Sequence, residues 1–126
     1  FFAGAGGGIY LSIKDLVKFG KMHLDGLNGK KGLLKSDTVK HLHSIPKDQT
    51  GEPYACGWGV GMEAMMVGPG VPAFHGHNGS NGTFRAQLAI FPEKQLVIAC
   101  MQNRGGESEP SPPLQAVLAV AKKLAN

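Results

Sequence analysis

Two apolar runs, Arg85 to Phe91 and Gln95 to Met101, flank Pro92-Glu93-Lys94 and constrain what this chain can become. Each run has strand length, and the break between them has room only for a hairpin turn. A lone hairpin is marginal in water, so more strands or a covering helix must complete it. The chain offers both. Tyr54 to Met66, with glycines at 57, 59 and 61, reads as one twisted strand, and Gly68-Pro69-Gly70 turns it into a further strand around His75 and His77.

The helices are marked at their ends. Ser12 is a good N-cap, and Asp15 three residues on completes a capping box. Ile13, Leu16, Val17, Gly20 and Leu24 share one face, with Lys14, Lys18 and Lys21 opposite, until Asp25-Gly26 ends the helix. Ser36 is expected to cap a second, shorter helix through about Leu42, before Pro46. His41 and His43 are two apart there, which on a helix sends them to nearly opposite sides, and both read as surface residues. Ser111 and Pro112 start a last helix, with Leu114, Val117, Leu118, Ala121 and Leu124 as its buried stripe. The order predicts an α+β fold: an N-terminal helical segment, then an antiparallel sheet with the C-terminal helix packed on it.

At 126 residues the chain suffices for one domain with a modest core. The net charge of +4 comes from scattered lysines without interleaved aromatics, which argues for a solvated surface and against a nucleic-acid groove. Cys56 and Cys100 match no metal or redox spacing. No apolar run approaches membrane-spanning length. Gly4-Ala5-Gly6-Gly7-Gly8 lacks the spacing of a phosphate loop, because Ile9 stands where a dinucleotide loop needs glycine. The opening Phe1-Phe2-Ala3, without methionine, suggests a piece of something longer.

The stretch richest in chemistry runs from Ala73 to Phe84. On a strand, His75 and His77 point the same way, and Gly79 and Gly82 permit a bulge or a close approach of backbone to a ligand. Two other readings compete with a catalytic one. The pair is a turn with two surface histidines, or half of a metal site with Cys56 or His41 folded close. No acidic or cysteine third ligand lies nearby in sequence, so the metal reading is incomplete.

The ordered set of segments resembles the serine β-lactamase-like superfamily, which includes class C β-lactamases, DD-peptidases, D-aminopeptidases and related esterases. Gly6-Gly7-Gly8-Ile9-Tyr10-Leu11-Ser12 with Asp15-Leu16 is similar to its glycine-led helix, and Gly57-Trp58-Gly59 to its GLGW strand. Leu33-Leu34-Lys35-Ser36 with Thr38-Val39 resembles its L-S-x-x-T-V segment. His77-Asn78-Gly79 resembles the third active-site motif, Lys-Thr-Gly in β-lactamases and often His-x-Gly elsewhere.

The resemblance implies a partial β-lactamase/transpeptidase-like fold over residues 1–126, the C-terminal half of an acyl-enzyme hydrolase. It implies His77 as a hydrogen-bond donor in the cleft, the Ser80 backbone N–H as an oxyanion donor, and Asn78 turned away. Gly79 leaves room for an ester, amide or peptide substrate. Histidine, only partly charged near neutral pH, anchors a carboxylate less firmly than lysine, which favours a peptidase or esterase over a β-lactamase. No cofactor and no metal is implied.

The family's Ser-x-x-Lys and Tyr-x-Asn motifs belong upstream of the glycine segment. Ser44-Ile45-Pro46-Lys47 spells the first in the wrong order, with proline inside, and Ser12 of Tyr10-Leu11-Ser12 is needed as a cap. The chain is therefore expected to be inactive alone. A non-catalytic binding domain is the other outcome that the resemblance allows. In the family the sheet continues onto strands from the N-terminal half, so Gln95 to Met101 is expected to present an open edge. That edge would seek a second copy of the chain or the missing segment.

Overall fold

The computed structural model describes residues 7–62, 69–105 and 111–125. Helix α1 spans Ile13–Leu27 and α2 spans Ser36–Leu42. Five strands follow: β1 Tyr54–Ala55, β2 Trp58–Met62, β3 Phe74–Ser80, β4 Arg85–Phe91 and β5 Leu96–Gln102. Helix α3, Pro112–Ala125, closes the described chain. The strands form one antiparallel sheet in the order β1-β2-β3-β4-β5, so each hydrogen-bonds its neighbour in sequence.

The α1 cap forms as its residues dictate. Ser12 Oγ accepts from the Asp15 N–H at 3.2 Å and donates to the Asp15 carboxylate at 2.7 Å. The helix runs one residue past Gly26, and Asn28 caps its end, with Nδ2 donating to the Leu24 carbonyl at 2.9 Å. At α2 the N-cap is Lys35 rather than Ser36, whose hydroxyl instead donates to Gly26 O at 2.8 Å and ties the two helices together.

Each face of the sheet has its own core, because side chains alternate along every strand. Phe74, Ala89 and Phe91 pack under Val117, Leu118 and Ala121 of α3. On the other face Trp58, Leu88 and Ile90 meet Leu24 of α1. The expectation of a sheet carrying the C-terminal helix holds, and α1 covers the second face as well. Gly20 makes that approach possible: a Cβ there would stand 2.7 Å from Val97 Cγ1 and 2.9 Å from Leu88 Cδ1. The α3 stripe is shorter than its sequence pattern, since Leu124 is exposed.

The strand expected over residues 54–66 is two strands. Cys56 and Gly57 both take positive φ, 47° and 90°, and fold the chain back so that Ala55 pairs with Trp58. A two-residue turn with both φ values positive matches the right-handed twist of its strands. Glycine at 57 reads equally as twist or as turn, and the turn won because Ala55 and Trp58 then both lie buried. Residues 63–66 of the expected strand, and Gly68 of the expected turn, lie outside the described residues.

Candidate active site

Strand β3 carries the candidate residues along one edge of a cleft. His75 pairs with Ile90 and His77 with Leu88, so both histidines face α1, as the alternation predicts. Their surroundings differ. His75 is half-buried and meets His43, their Nδ1 atoms 2.8 Å apart, whereas His77 is exposed and shares a 2.8 Å hydrogen bond between Nε2 and the Tyr54 hydroxyl.

The cleft has two arms. The smaller, about 320 Å³, lies between Phe19, the Cys56-Gly57 turn, Trp58 and His77. The larger, about 720 Å³, runs past Ser80 between Tyr10, Leu11, Phe84 and Met101. Leu16, Gly79 and Ala86 border both, so Gly79 stands where the arms meet. Asn78 pairs with Gln87, on the sheet face opposite His77, and still borders the smaller arm.

Among the described residues, the β3 edge within this cleft lacks a strand partner on the β2 side. Strand β2 starts at Trp58, and Gly59 pairs with Gly76, so β2 ends its contact with β3 near His77. Past the end of β3, the Asn81 N–H donates to Phe84 O at 3.3 Å, which makes Ser80 and Arg85 a pair of the non-hydrogen-bonded kind. The main-chain N–H of Ser80 is thereby directed away from β4, towards the unpaired edge. Its hydroxyl accepts from the Gly82 N–H at 3.2 Å in the turn that follows.

Neither serine of the sequence look-alikes is set up as a nucleophile. Ser44 Oγ donates to Lys40 O at 2.6 Å at the end of α2, and Ser12 is occupied by its cap. Among the described residues no group of three or more His, Cys, Asp or Glu is arranged to hold a metal ion.

One expectation needs correction. His41 is exposed, but His43 is buried, only 4% accessible. It bridges His23 of α1, 2.9 Å from His43 Nε2, and His75 of β3. The helical rule did place the two histidines on opposite sides, and tertiary contact decided which side is inside. His23, which sequence reasoning passed over, is also buried. The available signal was its place between Gly20 and Leu24 on the apolar stripe. Tyr54 was missed as a partner of His77, because it lies on a strand two positions across the sheet.

The fold and the cleft together define an antiparallel α+β domain with a substrate-sized groove along an unpaired strand edge. The chain belongs to the beta-lactamase family, whose model matches residues 1–122. No curated protein and no solved structure matches the chain.

Proposed function

We propose that this chain is the C-terminal part of a serine hydrolase that works through an acyl-enzyme, with the nucleophile and its base on a preceding segment. The carrying observation is the unpaired β3 edge, where His77, Gly79 and the Ser80 N–H meet one cleft. A carbonyl oxygen docked on that edge receives the Ser80 N–H, and the charge it gains in the tetrahedral intermediate strengthens that bond. Loss of one such donor typically costs ~100-fold or more in rate. Gly79 admits the substrate, and His77, braced by Tyr54, presents its other ring nitrogen to the substrate or to the nucleophile's proton network.

Histidine at 77, where the family's β-lactamases have lysine, anchors a substrate carboxylate less firmly, which supports esters or small amides over β-lactams. Neither Ser12 nor Ser44 is free to act as a nucleophile, so the chain alone is expected to turn over nothing. The test uses the chain and its longer parent with p-nitrophenyl esters and a chromogenic cephalosporin. The parent hydrolyses the esters better, and His77→Ala lowers its kcat/KM without loss of fold. Turnover by the chain alone that vanishes on Ser44→Ala would move the nucleophile to Ser44. An unchanged His77→Ala parent would remove His77 from the site.

A further inference from the structure

Behind the cleft lies a cluster that the hydrolase reading does not use. His23 Nδ1 is 2.9 Å from His43 Nε2, and His43 Nδ1 is 2.8 Å from His75 Nδ1, so three imidazoles form a chain from α1 through the end of α2 to β3. Trp58 roofs it, its ring centroid 4.8 Å from that of His23 and 4.6 Å from that of His43, and Phe19 stacks on Trp58 at 6.0 Å. Trp58 and Phe19 are also walls of the smaller arm of the cleft.

The geometry is that of shared protons and not of metal ligation. His43 uses its two ring nitrogens for two different partners, so the three rings do not converge on one point. A neutral imidazole has one donor and one acceptor, and three in a row are satisfied in either of two tautomeric directions. One added proton can still be accommodated, since an imidazolium at any one of the three positions leaves both bonds possible. A second cannot: two N–H groups would then face each other across at least one bond.

We propose that His23, His43 and His75 form a proton-operated latch: with at most one added proton it clamps Trp58 into the cleft wall, and on taking up a second it releases that wall. The groups that face the latch make it responsive. Leu88, Ile90, Val97 and Ala99, the apolar residues that pack with Trp58 from β4 and β5, offer no countercharge. The lysines and aspartates of α1 that form ion pairs do so on its outer side. Along β3 the next ionisable group on this face is His77, bonded to Tyr54. Burial disfavours the charged form of all three rings, and at His43 the two neighbouring histidines add to it. The first proton is therefore taken up late, and a second breaks a bond of the chain.

Trp58 is the chain's single tryptophan and reports on the latch directly. Acrylamide quenching of the intact 126-residue chain is followed from pH 7.5 to pH 3, with far-UV circular dichroism in parallel and ring-nitrogen NMR of the histidines. The expected result is a several-fold rise in the quenching constant while the circular dichroism is unchanged, with the ring signals of His23, His43 and His75 changing over the same pH interval. His41→Gln leaves that transition in place, and His75→Phe, which keeps a ring but cannot titrate, shifts or abolishes it. Quenching that is flat across this range, or that rises only as the circular dichroism collapses, overturns the latch. So does an unshifted transition in a folded His75→Phe variant; if that variant does not fold, the wild-type NMR and quenching curves decide alone.

Discussion

The Tyr54 hydroxyl holds His77 by its Nε2 at 2.8 Å, across a sheet in which β2 lies between the two strands that carry them. The ring of His77 is otherwise exposed, so this bond is what sets its orientation in the cleft. A neutral hydrogen bond of this kind contributes roughly 1 kcal/mol. Tyr54→Phe in the proposed parent hydrolase should lower kcat/KM about fivefold by that measure, with the denaturation midpoint little changed. Equal activity in Tyr54→Phe and wild type would show that His77 needs no brace.

Acid should weaken the fold in a defined window. Burial lowers His23, His43 and His75 from the ordinary 6.5, with His43 brought to about 3. Below pH 6.5 the unfolded chain therefore binds more protons than the folded one, and stability present above that pH is lost as pH falls towards the folded values. Each histidine held neutral contributes a slope of about 1.4 kcal/mol per pH unit within the window. Urea midpoints at pH 7.5 and 5.5 check this, and a midpoint that does not fall at the lower pH contradicts it.

Gly20→Ala should destabilise the domain. The added methyl meets Val97 and Leu88 below 3.0 Å, and those side chains are already packed between α1 and the sheet. Overpacking of this sort costs about 1–3 kcal/mol, more than the helix propensity alanine gains over glycine, about 1 kcal/mol. Thermal denaturation distinguishes the two signs, and a more stable variant would mean that α1 shifts freely on β4 and β5.

Much of this architecture was legible beforehand, and the exceptions have physical causes. The β4–β5 hairpin and the capping box at Ser12 and Asp15 are local, so they followed from neighbouring residues alone. The fate of His43 did not, since its partners lie 20 and 32 residues away. The Cys56-Gly57 turn hid inside an apolar run, because a cysteine with positive φ carries no turn signal of its own. In the cleft, the His77–Gly79 segment could be found by its residue types. The buried histidine chain could not, because it depends on α1 lying across the sheet.

Strand β5 ends the sheet among the described residues, and its outer row of backbone groups has no strand partner there. Its sequence, Leu-Val-Ile-Ala-Cys-Met-Gln, contains neither lysine nor proline to discourage pairing. The chain should therefore self-associate through β5 at micromolar concentration, or pair with an N-terminal segment of the proposed parent when that is supplied. Met101→Lys, at a partly exposed edge position, should shift sedimentation towards monomer. A wild-type monomer with slow amide exchange from Leu96 to Cys100 would contradict the open edge.

The sheet's simple strand order sets a timetable for assembly. Each strand pairs with the one made just before it, so closing β3 on β4 and β4 on β5 sacrifices little chain entropy. Helix α1 is the opposite case: it emerges early, yet its resting place on Leu88 and Val97 does not exist until the β4–β5 hairpin has been made. Its apolar stripe finds this surface only after everything between has been made. The sheet can thus form from neighbouring strands, whereas α1, which completes the cleft wall, docks only once the β4–β5 hairpin stands.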